Sequence, residues 1–397
     1  MKKILVLGAS ILQLPAILKA KEMGLYVGVV DYDSKQVGVP YADVFFNVST
    51  IDVDGIVRTA KAFNPLGIMT MATDMPMRAI AKATAALGLP GISFETAIKS
   101  TDKGEMIKAF KANAIETPWF FIVAQDNDLD KIRDKLTFPC IMKPTDNSGS
   151  RGVILIKRPE ELDSAYDYSK NHSRGGSVIV EEYMTGCEVS VEIMTIQGTV
   201  HILAVTDKLT TGPPYFVEMG HCQPSQLPDN DLTKITDLAK RAVRAVGIEN
   251  GPAHVEIMLT NDGPKMIELG ARMGGDCITS HLVPLSTGID MIKATIEAST
   301  GQTPDLKPRF SRGSAIRYFD IRKGTITEIL GEAKARTIKG INEIIFTKKA
   351  GDTVCGIKSS TDRIGYVIAQ AKSAADAVKV CNKALGLIQI NVEKTAQ

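Results

Sequence analysis

Apolar and polar positions alternate every second residue in some stretches of this chain and recur at helical spacing in others. The order of the two patterns predicts its architecture. Residues 3–7 form a β-rich run ending at Gly8, residues 12–23 carry helical spacing, and residues 25–30 form a second β-rich run ending at Asp31. A β-α-β start of this kind predicts a parallel, Rossmann-like sheet. Residues 67–71 predict a further strand end, and residues 74–87 a helix stopped by the breaker cluster Gly88-Leu89-Pro90-Gly91. A first domain is expected to end near that cluster.

Asp102 followed three residues later by Glu105 predicts a capped helix start, with Lys103 on its first turn. Residues 138–144, FPCIMKP, predict a buried strand with one charge inside it. Lys143, flanked by Ile141, Met142 and Pro144, is not a typical surface lysine, and a phosphate contact would explain it. The following DNSGSRGV (residues 146–153) is rich in glycine and serine. Such a loop can close over phosphates through its backbone N–H groups, and a flexible hairpin loop is the equal alternative. Residues 153–157 and 178–183 predict strands on either side of a helix over 159–171. The second strand runs into EEYMTGCEVSVEIM, where Glu188, Ser190 and Glu192 share one face and Val189, Val191 and Ile193 the other. A polar face beside an apolar wall suits an adenine and its ribose. Residues 201–208 extend the sheet, and 210–228, dense in proline and glycine, predict a loop over the site. A helix over 231–246 ends at Gly247, another over 289–300 ends at Gly301, and 302–308 is linker-like. Beyond residue 314 short strands alternate with turns and a helix over 374–385 closes a small α+β domain.

The stretch with the most chemistry is residues 254–276, HVEIMLTNDGPKMIELGARMGGD. HVEIML reads as a strand, TNDGP as a turn and KMIEL as the return strand. A loop over 260–264 sets Glu256 opposite Glu268, with Cβ atoms about 5 Å apart. Like charges so opposed require a cation between them, and a hard, oxygen-seeking ion such as Mg²⁺ fits and brings nucleotide phosphates with it. Arg272 follows four residues after Glu268 and could stabilise charge on a phosphoryl group or tetrahedral intermediate. Gly274 and Gly275 let backbone approach closely. A solvated hairpin with ordinary surface glutamates is the plain alternative.

Composition narrows the classes. A length of 397 residues allows two to four domains, and a net charge of +2 lacks the basic bias of a nucleic-acid footprint. No run approaches the roughly 18 apolar residues of a membrane helix. The apolar start MKKILVLGASILQLPAI is expected to be a first strand rather than a secretory signal. Its turn, GASILQLP, lacks G-x-G-x-x-G, which argues against NAD despite Asp31 at a ribose-binding position, and no P-loop occurs. The six cysteines are far apart with no C-x-x-C pair, so a reducing cytoplasm is expected.

Taken in order, TDK at Thr101, IMKP at Ile141, SGSRGV at Ser148, EEYMTGCEVSVE at Glu181, VEIM and IELGARMGGD resemble the ATP-grasp superfamily over nearly the whole chain. The resemblance implies an α/β Rossmann-like domain over 1–100, then an α+β ATP-grasp domain over 101–305 with a lid subdomain at about 116–184. A small α+β C-terminal domain would follow over 306–397. It also implies ATP and Mg²⁺, or Mn²⁺ in its place. Lys103 and Lys143 would contact phosphates, and Ser148, Gly149, Ser150 and Gly152 would form the lid loop. Glu181 and Glu182, with the backbone of Tyr183 and Met184, would read adenine, and Glu188 would hold the ribose. Glu256 and Glu268 would ligate the metal, and Arg272 would steady an acyl phosphate. Glu218 and His221, with Gly274 and Gly275, would line an acceptor pocket. Many relatives have E-x-N-x-R, whereas Gly270 replaces that asparagine here, leaving either a water or a weaker second metal site.

The implied reaction joins a small-molecule carboxylate to an amine through an acyl phosphate, forming ADP. The sequence looks most like the amino-acid ligase branch. Phosphoribosylglycinamide synthetase, biotin carboxylase and carbamoyl-phosphate synthetase are similar alternatives. A non-catalytic nucleotide-binding regulator is an alternative of another class. A cytoplasmic homodimer with neither nucleic-acid nor membrane partners is expected.

Overall fold

The structure, a computed structural model, describes residues 1–147, 149 and 151–393. Ser148 and Ser150, two of the expected lid residues, lie outside the described residues.

The first sheet holds β1 (Lys3–Leu7), β2 (Tyr26–Asp31), β3 (Val44–Asn47) and β4 (Gly67–Met69) in the order β3-β2-β1-β4, parallel throughout. Its strands are near-continuous apolar runs because helices cover both faces. Leu5 and Leu7 of β1 pack with Ile56, Phe63 and Ile80, while Ile4 and Val6 pack on the opposite face with Ala16, Ile17 and Ile296. The helix expected from residue 74 begins instead at Met77. Pro76 stands at its N-cap, and a residue before proline is pushed out of helical conformation, so the helix cannot start earlier. Asp74 is thereby left on a loop at the C-terminal edge of the sheet. The helix ends at Gly88, which takes φ 65.

The second sheet is antiparallel: β5 (Phe120–Val123), β6 (Cys140–Pro144), β7 (Ile154–Ile156) and β8 (Val178–Glu182), in the order β5-β8-β6-β7. It has a core of its own, in which Met142, Ile156 and Val180 pack on Leu162 and Tyr166 of the helix Leu162–Asn171.

The largest sheet takes β9 (Cys187–Ile196), β10 (Thr199–Thr210), β11 (Glu218–Gln223), β12 (Gly251–Thr260) and β13 (Gly263–Gly270). The chain closes with β14 (Gly313–Tyr318), β15 (Gly324–Leu330), β16 (Ile341–Phe346), β17 (Thr353–Val354), β18 (Gly365–Ala371) and β19 (Gln389–Glu393). The order β13-β12-β9-β10-β11-β14-β18-β16 makes one eight-stranded sheet, while β15, β17 and β19 form a small separate one. Residues 210–228 are therefore not all loop. Glu218–Gln223 is a strand hydrogen-bonded to β10 on one side and β14 on the other. Its sequence, EMGHCQ, shows no apolar alternation because two of its buried positions are polar: His221 sits in the site, and Gln223 bonds to Thr206 and Ser286.

One face of this sheet is apolar. Val189, Val191, Ile193, Val255 and Ile257 pack on the helix Asp229–Val246 through Ile235, Leu238 and Val243. The other face carries the polar row of β9 beside that of β12, with Ser190 paired to Glu256 and Glu192 to His254. That row is not solvated, since Ser190 and Glu192 are both fully buried.

The β12–β13 hairpin reaches its expected register by a different route. The turn is short, with Thr260 paired to Gly263. A bulge then leaves Ile267 out of the pairing, and the extra residue returns Glu256 to a position opposite Glu268. Among the described residues no helix is long and apolar enough to cross a membrane.

Candidate active site

The opposed glutamates stand among cations supplied by β10, by β12 itself and by the helix Lys103–Ala112. Lys208 of β10 reaches Glu188 Oε1 at 2.5 Å, Glu256 Oε2 at 3.1 Å and Glu218 Oε1 at 3.6 Å. Burial disfavours its charge, but the three carboxylates outweigh that and hold its pKa well above the ordinary lysine value. His254, two residues before Glu256 on the same strand face, places Nδ1 2.7 Å from Glu192 Oε1 and Nε2 3.2 Å from Glu256 Oε1. Burial pushes the imidazolium down, yet Glu192 and the bond to Glu256 raise its pKa to about 9. Both ring nitrogens therefore carry protons and donate. Glu256 is correspondingly held well below the usual carboxylate range: burial alone would raise it, and Lys208 and His254 reverse the sign. Glu188 goes the other way, raised by burial that Lys208 only partly offsets.

Glu268 is paired from the other side. Asp102 caps the helix Lys103–Ala112 by accepting from Glu105 N, and so points the first helical side chain inward. Lys103 Nζ lies 2.8 Å from Glu268 Oε2 and donates to the carbonyl of Asn147, at the start of the expected lid loop. Burial opposes ionisation of Glu268, and Lys103 overrides it to lower the pKa. Lys143, 7% exposed, forms a 2.6 Å pair with Glu181 on the adjacent strand, while Glu182 pairs with Lys265. A small recess beside Lys103 and Glu181 has apolar walls from Met106, Phe110 and Ile267. Tyr183 and Met184 lie on the connection from β8 to β9, with the Tyr183 ring 6.2 Å from that of Phe216.

The start of the expected lid loop is fastened down. Asp146 accepts from Ser173 Oγ and from the backbone of Arg174 and Gly175. Gly149 and Gly152 take φ 67 and 80. At Gly152 a side chain would also run into Pro144 and His172.

Arg272 does not stand alone after β13. Asp74 accepts from its Nε at 3.0 Å and its Nη2 at 3.1 Å. A Cβ on Gly270 would fall 2.6 Å from Asp74 Oδ1, so the space of a side chain at residue 270 is already filled by this pair. Gly274 has a similar reason. Its Cβ would meet His254 Nδ1 at 2.6 Å and Glu192 Oε2 at 3.0 Å. Gly275 faces Ala72, and there a Cβ would make only ordinary contact.

Of the expected acceptor residues, Glu218 joins the Lys208 cluster, while His221, 1% exposed, turns to Asp276 at 3.3 Å. Asp276 and Cys277 hold positive φ of 51 and 60, and Arg363 from the C-terminal region grips Asp276 with two bonds of 2.7 Å. Burial would raise the Asp276 carboxyl, but His221 and Arg363 hold it far below the usual range.

Among the described residues no three acidic, histidine or cysteine side chains gather closely enough to cage a metal by themselves. Two ionised carboxylates directly opposed on a strand pair still fit Mg²⁺. That ion is satisfied by one or two carboxylates and keeps its other positions for water and phosphate oxygens.

The sequence did not single out Lys208, His254, Asp74, Asp276 and Arg363, and it placed Glu192 on a polar face without a partner. Lys208 gives a weaker signal than Lys143, because Asp207 and two threonines beside it make that end of the strand read as polar. His254 could have been found by extending the polar face of Glu256 by two residues, and Glu192, already on the polar face of its strand, lacked only its partner. Asp74 and Arg363 join the site only through tertiary structure.

Residues 136–280 match the family model described as ATP-grasp domain, and residues 317–393 match L-amino acid ligase C-terminal domain 2. The L-arginine-specific L-amino acid ligase of Bacillus subtilis is 28% identical over 287 residues, covering 69% of this chain and 68% of that protein. The solved L-amino acid ligase from Bacillus licheniformis superposes with a TM-score of 0.84 at 22% identity, covering 99% of each chain. Phosphoribosylglycinamide synthetase from Anaerococcus prevotii superposes with a TM-score of 0.80 at 24% identity, covering 99% of this chain and 100% of that one. These two superpositions are likenesses of fold.

Proposed function

We propose that this chain, which carries an ATP-grasp domain and an L-amino acid ligase C-terminal domain, joins a carboxylic acid to an amine at the expense of ATP. The substrates we favour are L-amino acids, the class named for the B. subtilis relative. The observation that carries the reading is Glu256 opposite Glu268, both held ionised, with Lys103 paired to Glu268 and Lys143 to Glu181.

In this reading the N-terminal parallel sheet is a Rossmann-like domain over 1–100, followed by the ATP-grasp domain over 101–305 and the C-terminal domain over 306–397. Adenine lies in the apolar-walled recess by Glu181, read by the backbone near Tyr183 and Met184, and Glu188 takes the ribose hydroxyls. Lys103 and Lys143 hold the phosphates, and the 146–152 loop closes over them. Glu256 and Glu268 hold Mg²⁺, or Mn²⁺ in its place, which when bound neutralises charge on the terminal phosphates. A substrate carboxylate oxygen takes the terminal phosphoryl group, giving an acyl phosphate and ADP. The amine nitrogen then bonds to the acyl carbon, the tetrahedral intermediate expels phosphate, and the nitrogen passes its proton to solvent water. Arg272 stabilises the negative charge in both steps. Reactant positioning and charge stabilisation suffice, so no side-chain nucleophile is needed. We place the protein in the cytoplasm as a homodimer.

The test uses enzyme, Mg-ATP and an ¹⁸O-labelled carboxylate with its amine, screened over amino acids, short acids and phosphoribosylamine. Label is expected in inorganic phosphate, with ADP in equal amount. Label in AMP with pyrophosphate release refutes the mechanism, and ATP binding without turnover favours a regulator.

A further inference from the structure

Asp74 lies on the loop between β4 and the helix Met77–Leu87, 198 residues from the arginine it binds. The loop is not relaxed: Ala72 takes φ 59, a left-handed conformation that alanine seldom adopts, while Pro76 fixes the other end. That shape delivers the Asp74 carboxylate side-on to Arg272, onto Nε and Nη2. A side chain at residue 270, between the two, would displace the clamp, since a Cβ there would fall 2.6 Å from Asp74 Oδ1 and 3.1 Å from Arg272 Nε.

A guanidinium has five N–H donors. Asp74 takes two and the carbonyl of Met273 takes one from Nη1. The remaining two, on Nη1 and Nη2, are left for an anion. An arginine free to rotate would have to be ordered each time it met charge, whereas one already clamped acts without reorganisation.

We propose that Asp74 is a positioning residue by which the N-terminal domain aims Arg272 at the phosphate or acyl phosphate, with Gly270 leaving room for the clamp. The role of the anion rests on the ligase reading above; the clamp itself does not. Calorimetric titration of inorganic phosphate into protein carrying Mg-ADP reads Arg272 without the acid or the amine. D74A should weaken phosphate by about tenfold or more, the worth of a charge-assisted hydrogen bond. D74N, which keeps a neutral contact and the side-chain volume, should lose less. In an R272Q background D74A should add no more than about twofold, because a residue acting through Arg272 has nothing left to act on. In turnover, D74A should lower kcat by roughly 10²-fold, with KM for ATP unchanged. Equal phosphate affinity in wild type and D74A, or a full further loss in R272Q, overturns the proposal. A wild type that binds phosphate but turns over no acid strikes the ligase reading alone and leaves the titration decisive for Asp74.

Discussion

Lys208 Nζ lies 2.5 Å from Glu188 and 3.1 Å from Glu256, so one buried ammonium joins the carboxylate assigned to the ribose to one assigned to the metal. With Glu218 at 3.6 Å, three acidic side chains share a single strand lysine. Replacing it by methionine keeps the stem and removes the charge. K208M should destabilise the fold by about 3–5 kcal/mol, the cost of leaving buried charge unpaired. Urea unfolding measures it, and a midpoint equal to wild type would show that the carboxylates find other partners.

E268Q should lose turnover and keep its fold. The amide preserves shape but offers a neutral oxygen where a hard cation needs a charged one. Mn²⁺ affinity, followed by electron paramagnetic resonance, should fall by at least about tenfold. Wild-type Mn²⁺ binding in E268Q would remove Glu268 from the metal assignment.

Lys143 and Glu181 should separate in their effects. K143A removes the cation proposed to hold the phosphates and should raise KM for ATP by roughly 10- to 100-fold, as losing a charge-assisted bond does. It also strands Glu181 in a strand interior, so thermal stability should fall. K143A/E181Q should recover stability without recovering KM. Unchanged ATP kinetics would make Lys143 purely structural.

His254 gives a pH dependence. Its pKa is raised in the folded state from 6.5 to about 9. A raised histidine contributes stability that is fully present below its unfolded value and is lost as pH climbs through the folded one. Stability of metal-free protein should therefore decline between about pH 6.5 and 9, by on the order of 3 kcal/mol at most. H254Q should flatten that limb. A decline of the same size in H254Q would assign it to another group.

Much of this was legible in the chain because its signals are local. Gly247 ends its helix in the left-handed region, Asp102 caps its helix, and Lys143 is buried, each as a short window of sequence implies. The pairing of Glu256 with Glu268 was also legible, though a five-residue loop reached it by a route the hairpin does not take; the bulge at Ile267 makes up for the shorter turn. What escaped was non-local or polar. The strand Glu218–Gln223 buries histidine and glutamine instead of alternating apolar residues, so period-two reading passes over it. Asp74 and Arg363 reach the site from distant loops, and no spacing rule connects residues so far apart.

The register of β11 with β14, in which Gly220 pairs with Arg317 and Gln223 with Ser314, bears on how this protein can be cut. A chain ended near residue 305 would strip β11 of its outer neighbour and expose a row of unpaired amides and carbonyls carrying Glu218 and His221. Raw strand edges recruit other chains, so such a fragment should aggregate rather than behave as a minimal nucleotide-binding unit. Exchange of C-terminal modules between relatives would have to carry β14, β16 and β18 as a matched set, because the seam runs through the sheet and not through a linker.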